Sequence, residues 1–238
     1  MGNCWCASMG NNKEEMKFLF DEDIFLLTGH PIAKESRDAM NPEDSGAVHN
    51  STDGADFSVD LLGAFPGKKT CLDLGTATGW MPLTMRRTGM LAVGLEGSDE
   101  PKKRGLGAWK EFPAIVRTCD IGKPFFVSDA TGKEVIFDFI ISWGTVEHIP
   151  FKNIAVLMEN IRRHTDTDSI IMLNIDLTYV AADGYHQLWE HYPGSKEAIK
   201  WMLSDFFIID EDLGSRSWRY SKMPDNKIRT YWWLRKKP

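Results

Sequence analysis

The chain has 238 residues, 42% of them hydrophobic and 26% charged, with a formal net charge of −6, which suits one soluble globular domain with a full core and some decoration. No run approaches the roughly 18 apolar residues of a membrane span and no basic-then-apolar leader opens the chain, so a cytoplasmic protein is expected. Of the four cysteines, Cys4, Cys6, Cys71 and Cys119, the last two sit in apolar runs, where free thiols pack as small hydrophobes rather than frame disulfides.

Met1 to Ser8 is a loose tail. Its Met-Gly opening resembles an N-myristoylation signal, but Cys6 stands where that signal wants Ser or Thr. Lys13 to Phe20 is expected to form a short helix, and the apolar cluster within Asp21 to Leu27 a lid or docking segment. His30 to Ser51, with Pro31, Pro42 and Gly46, reads as a loop. Ser51, Thr52 or Asp53 then caps a helix through Leu62, ended by Gly63 and Pro66. Strands are predicted at Thr70 to Leu74, Leu91 to Leu95, Ile115 to Thr118, Phe137 to Ser142, Ser169 to Ile175, Phe206 to Asp210 and Ile228 to Leu234. Helices fit Trp80 to Thr88, Pro101 to Phe112, Phe151 to His164 and Ser195 to Leu203, the second weakened by Gly105 and Gly107. Alternating strands and helices imply an α/β fold, a parallel sheet covered on both faces. The last two strands, with no predicted helix between them, imply an antiparallel hairpin edge.

The stretch Thr70 to Ser98 organises the rest. An apolar run ends in the turn Gly75-Thr-Ala-Thr-Gly79, a helix follows, and a second apolar run ends in Glu96, the pattern of a nucleotide-binding βαβ unit. A dinucleotide fingerprint needs a small residue at position 80, which is Trp, and a phosphate-binding P-loop needs a Gly-Lys-Ser/Thr end, which is missing. Asp73, two residues before the first glycine, would repel a pyrophosphate but suits an ammonium group. Glu96 can accept two hydrogen bonds from a ribose diol. Ammonium and ribose without phosphate describe S-adenosylmethionine.

Asp73-Leu-Gly-Thr-Ala-Thr-Gly79, Gly94-Leu-Glu96-Gly-Ser98, Cys119-Asp120-Ile121 and Trp143-Gly-Thr-Val-Glu147-His148-Ile149 resemble, in order and spacing, the class I S-adenosylmethionine-dependent methyltransferases. The likeness covers residues 68 to 212 and implies a Rossmann-like, seven-stranded, mostly parallel sheet. One departure is Ala77, where the family's turn has its middle glycine; alanine fits if its φ stays negative. By resemblance the cofactor is S-adenosylmethionine, with S-adenosylhomocysteine as product. Its site would draw on Asp73, Gly75, Thr76, Ala77, Gly79, Trp80, Glu96, Gly97, Ser98, Asp120, Ile121 and Trp143, with Asp120 at the adenine amino group and the Trp143 region at the methionyl part. Trp80 and Trp143 read first as packing walls, with a cation-facing role as the alternative. A weaker likeness, carried by His30-Pro-Ile-Ala33, Asp38, Asn41-Pro42 and His49-Asn-Ser51, is to poorly characterised bacterial and phage methyltransferases, some of them associated with surface polysaccharides.

The chain divides into an N-terminal tail, loop and lid over 1–67 and a catalytic domain over 68–238, with an acceptor-side insertion at 178–195. Methyl transfer needs chiefly alignment of acceptor, methyl and sulfur, and a hydroxyl acceptor also gains from a general base. His148, after the fourth of the predicted strands, is the first candidate, with a structural role at that turn beside Glu147 as its alternative. His186, in the insertion, is the second. His186 and His191 would lie about 140° apart around a helix and so do not form an H-E-x-x-H zinc pair; a metal site including Asp176 is a lesser alternative, and no metal is expected.

The leading expectation is an enzyme that methylates a small molecule or glycan, at oxygen. From Gly214 onward eight basic residues face Asp225 alone, a local charge of +7 against −13 elsewhere. That edge, with Arg216, Trp218, Arg219, Tyr220 and Lys222, keeps an RNA methyltransferase as the alternative; solvated lysines guarding edge strands are the plainer explanation. A non-catalytic cofactor-binding scaffold is the third reading.

Overall fold

The computed structural model describes residues 16–20, 25–30, 59–176, 195–216 and 229–238. Their strands are β1 (Met16–Phe20), β2 (Phe25–Gly29), β3 (Thr70–Leu74), β4 (Leu91–Glu96), β5 (Val116–Thr118), β6 (Phe126–Asp129), β7 (Phe139–Trp143), β8 (Ile170–Asp176), β9 (Phe207–Ile209) and β10 (Arg229–Lys236). The helices are α1 (59–64), α2 (Trp80–Arg87), α3 (Glu100–Arg104), α4 (Ala108–Glu111), α5 (Phe151–Arg163), α6 (Lys196–Phe206) and α7 (Glu211–Arg216). Short 3₁₀ turns occupy Pro113–Ile115 and Val146–His148.

Seven strands form the main sheet in the order β5-β4-β3-β7-β8-β10-β9. β3, β4, β5, β7 and β8 run parallel, whereas β10 is antiparallel to both β8 and β9. The strands read as near-continuous apolar runs because both faces are covered. One face carries Leu72, Leu74, Val93, Leu95, Ile140, Ile171 and Leu173, packed on α5 and α6. In α5 the buried Ile154, Leu157, Met158 and Ile161 fall at helical spacing. Ser195 caps α6 by accepting the Ala198 N–H at 3.1 Å. The opposite face carries Cys71, Ala92, Phe139, Ile141, Met172 and Trp233 against Leu61, Phe65, Met81 and Met85 of α1, its C-terminal end and α2.

Of the helix expected at Lys13 to Phe20, the described part, Met16–Phe20, is corrected to a strand, and residues 13–15 lie outside the described residues. β1 and β2 form an antiparallel hairpin, and β2 pairs with β6 in a second, three-stranded sheet. A lone amphipathic segment carries no signal for which element will pair with it, and β6 itself went unpredicted. Pro101 to Phe112 splits into α3 and α4, because Gly105 and Gly107 both adopt positive φ. The short α7 lies between β9 and β10, where no helix was expected. The terminal strand enters the sheet between β8 and β9, so β9 forms the edge opposite β5.

Three basic side chains of the C-terminal segment are already engaged. Arg235 pairs with Asp210 at 2.8 Å, Lys236 donates to the Thr165 carbonyl just past α5, and Lys237 donates to the Ser204 and Asp205 carbonyls in the last turn of α6. Cations at helix C-termini stabilise those ends. Arg219, Lys222 and Lys227 lie outside the described residues.

Candidate active site

The chain runs outward from β3 through β4 to β5 and then returns to the other side of β3 as β7. This reversal leaves a crevice beyond the carboxyl ends of the strands, where ligands of open α/β sheets bind. Asp73, Glu96, Asp120 and Trp143 all stand at or just past those ends.

The glycine turn is built for close approach. A Cβ at Gly75 would run into the Thr145 side chain, and one at Gly79 would lie 2.6 Å from the Ala108 Cβ. Gly75 and Gly79 have φ of 77° and 76°, which alanine would tolerate poorly. Ala77 nevertheless has φ 51°, so the expectation of a negative φ is corrected. The turn keeps its glycine-type bend with a strained alanine, at a cost of about 1–2 kcal/mol. The Trp109 indole N–H donates to the Ala77 carbonyl at 2.9 Å, and the Ala108 N–H to the Thr78 carbonyl at 2.8 Å, so α4 clamps the turn from outside. Trp109 was not singled out from sequence, since an indole in a weak helix gives no sign of its partner.

Glu96 is buried and anchored. Its Oε2 accepts the Ala77 N–H at 2.7 Å and its Oε1 the Ser98 N–H at 2.9 Å, which orients both oxygens. Asp73 is 2% exposed, and burial pushes its carboxyl up to about 7, only partly offset by the Thr76 hydroxyl beside it. A nearby cation would reverse that shift. Asp120 is buried next to Ile121; its Oδ1 accepts the Gly122 N–H at 3.0 Å and its own N–H donates to the His30 carbonyl at 2.8 Å. β2 is thereby tied to the crevice. From α5, Asn160 donates to the Ile121 and Lys123 carbonyls and accepts the Phe125 N–H, so it pins the loop after Asp120.

The two tryptophans belong to different clusters. Trp80 packs with Leu83, Ala108, Trp109, Ile115 and Val116, with the Arg87 guanidinium 6.0 Å from its ring centroid. Trp143 packs on the α1–α2 face and meets Tyr231 edge-on, ring centroids 5.7 Å apart. Gly97 and Ser98 continue from Glu96 into the N-terminus of α3. His148 lies buried on the 3₁₀ turn after β7. Beside it Glu147 is 1% exposed; one oxygen accepts the Asp176 N–H at 3.1 Å, and burial raises its carboxyl above the ordinary range. His186, His191 and Glu190 lie outside the described residues.

A family model described as a methyltransferase domain matches residues 51–211, more than half of the chain. The chain belongs to the methyltransferase-domain family. No curated protein sequence matches it. Among solved structures, this methyltransferase is similar to the PH0226 protein of Pyrococcus horikoshii, at TM-score 0.56 and 12% identity over 82% of this chain and 96% of that one. It is also similar to a TehB-like SAM-dependent methyltransferase of Corynebacterium glutamicum, at TM-score 0.51 and 17% identity over 84% and 97% of the two chains. The N-methyltransferase NodS of Bradyrhizobium japonicum, solved with S-adenosyl-L-homocysteine, aligns at TM-score 0.50 and 12% identity over 82% and 90%. At these identities the likeness is one of fold, the Rossmann-like methyltransferase sheet with its antiparallel β10. The enzyme is an S-adenosylmethionine-dependent methyltransferase. Its buried Asp73, without a cationic partner among the described residues, and its pre-oriented Glu96 fit the ammonium and the ribose of that cofactor. No helix among the described residues is long and apolar enough to cross a membrane.

Proposed function

We propose that this enzyme methylates a hydroxyl of a small molecule or glycan. S-adenosylmethionine, when bound, supplies an electrophilic methyl on a positively charged sulfur. The observation that carries the reading is the pair of buried carboxyls, Asp73 and Glu96, on neighbouring strands around the glycine turn, with Glu96 held by the Ala77 and Ser98 N–H groups. In this reading Asp73 takes the ammonium and Glu96 the ribose hydroxyls. Thr76, Ala77 and Gly79 line the turn, Ser98 holds Glu96, Asp120 reads the adenine and Trp143 borders the methionyl end. As the new carbon–oxygen bond forms and the sulfur–carbon bond breaks, the hydroxyl proton passes to a base on the chain. His148, on the turn that follows β7, is the first candidate for that base, with His186 as the second. The engaged Arg235, Lys236 and Lys237 count against a long polyanionic acceptor such as RNA. The weaker likeness of the His30 to Ser51 segment to methyltransferases associated with surface polysaccharides agrees with a glycan acceptor.

The test is transfer from methyl-labelled cofactor into separate pools of nucleotide sugars, glycans, small metabolites and RNA, with cofactor affinity measured by calorimetry. Glu96→Ala is expected to weaken cofactor binding by about 1.5–3 kcal/mol, roughly 10- to 150-fold. Unchanged affinity would remove Glu96 from the ribose, and transfer into RNA alone would replace the small-molecule reading. His148→Ala is expected to lower turnover about 10²- to 10⁴-fold with cofactor affinity intact; full activity would return it to a structural role.

A further inference from the structure

Buried polar groups without partners are rare in folded proteins and call for an explanation. Two of them lie at or just past the carboxyl ends of β7 and β8. Asn174 is 0% exposed, and among the described residues neither atom of its amide has a hydrogen-bond partner. Glu147 has one oxygen satisfied by the Asp176 N–H, while Oε2 is buried and unpartnered among the described residues. Both groups flank Gly144. Its N–H donates to the Asn174 carbonyl at 2.9 Å, and a Cβ placed on it would lie 3.8 Å from Glu147 Oε1.

The register explains what covers the amide. Trp143 on β7 and Tyr231 on β10 are both the cross-strand neighbours of Asn174 on β8, so all three side chains share one face of the sheet. Strands β7 and β10 flank β8 and stand about 10 Å apart, twice the interstrand spacing. The Trp143 and Tyr231 rings nevertheless approach to 5.7 Å between centroids. They lean together over Asn174. Both residues are half-buried. In the strand order β8 lies beyond β7 from the β3–β4 half, on the side left for the methyl acceptor.

We propose that Asn174 reads the acceptor, and that the acceptor is a sugar ring held by the Trp143 and Tyr231 faces and hydrogen-bonded to the Asn174 amide and Glu147 Oε2. This inference rests on the reading of the enzyme as a methyltransferase of small molecules or glycans. A sugar offers what this cluster lacks. Its hydroxyls both donate and accept, matching an amide that does both and a carboxyl oxygen that accepts. Its C–H face packs on aromatic rings, as amphipathic ligands do at Trp and Tyr. A purely aromatic acceptor would fill the space between the rings and leave the amide and Oε2 unpaired, which a site built to hydrogen-bond its substrate rejects strongly. A polyanion would meet the Glu147 carboxyl. The acceptor enters by parting the two rings.

The test uses the full-length enzyme, methyl-labelled cofactor and nucleotide-linked hexoses, set against catechol and free amino acids. Asn174→Leu, close in volume and apolar, is the variant; Asn174→Ser serves if the first does not fold. The expected result is methyl transfer to a hexose by the wild type. The variant should then show at least a tenfold higher acceptor KM, unchanged cofactor affinity, and a melting temperature equal to or above that of the wild type, because it removes an unpaired buried amide. Loss of both melting temperature and cofactor affinity would make Asn174 structural and overturn the proposal. Hexose transfer with an unaltered KM in the variant would also overturn it while leaving the broader function standing. Transfer to catechol or amino acids alone, or to no hexose, would overturn the sugar assignment.

Discussion

The crevice has two halves that treat the same residue type in opposite ways. At the end of β4, Glu96 has both oxygens fixed by backbone N–H groups of the glycine turn and the following loop. At the mouth of β7 and β8, Glu147 has one oxygen fixed and one bare, beside the unpartnered Asn174. The half around Glu96 is held by backbone groups, which fix its carboxyl before any ligand arrives. The acceptor half holds its polar groups unspent, at a cost of about 1–3 kcal/mol for each unsatisfied group, as expected where the ligand completes the hydrogen bonding.

Asp73 sharpens the contrast most, because it is the one carboxyl of the cofactor half that the backbone does not pin. Between its ordinary value of 3.8 and about 7, the folded chain holds a proton that the unfolded chain has lost. Unfolding then releases a proton, so this group's contribution to stability falls as pH rises through that window, by up to about 4 kcal/mol. Asp73→Asn is expected to flatten this dependence, raising stability at pH 8 while abolishing tight cofactor binding. Urea unfolding at pH 5 and pH 8 measures it, and a variant as pH-sensitive as the wild type would show that the cofactor half carries no such stored cost.

His164 supports the opposite face and has the opposite sign. It is fully buried against Phe125, its Nε2 accepts the Val127 N–H, and its Nδ1 faces the Val135 carbonyl, so it is held neutral with its pKa pushed down by burial to about 4. Between about 4 and 6.5 the unfolded chain takes up a proton that the folded chain refuses. Stability is therefore expected to fall as pH drops through that window, by up to about 3 kcal/mol. Amide exchange at Val127 on β6 should accelerate over the same range. Protection of Val127 that is flat from pH 7 to pH 4 would contradict this.

The smallest effect tests how far the cofactor half is truly preformed. Ala77→Gly removes a left-handed alanine but adds freedom to the unfolded chain, so a net gain of about 0.5–1 kcal/mol is expected. Thermal melting reads it out, and a loss of stability would mean that the Ala77 methyl packs better than its backbone strains.

Much of this was legible in the residues alone, and the reason is locality. The βαβ unit, its turn and its terminal acid are contiguous, so spacing alone placed Asp73, Gly75 and Glu96 at strand ends and Gly79 at the start of the helix. All seven strands of the main sheet were predicted within a few residues, most directly β3, β4, β7 and β8, whose largely buried apolar runs carry the signal of strands covered on both faces. Ala77 resisted, since backbone strain at one residue is decided by what surrounds the turn. The strand character of Met16–Phe20 resisted as well, because it depends on pairing with Phe25–Gly29, which in turn needs β6, some 100 residues further on.

By itself the sequence determined the sheet's membership and the cofactor class, and it singled out Asp73 and Glu96 at the strand ends, because each follows from hydrophobic period or from chemistry held within one turn. Only the tertiary structure decided that the C-terminal lysines cap α5 and α6, that Trp109 and Asn160 brace the cofactor loops, and that Trp143 and Tyr231 close over Asn174. Those contacts join residues dozens of positions apart, and no local spacing records them. Register across β7, β8 and β10 brings them onto one face, and register is a property of strands meeting rather than of any strand alone.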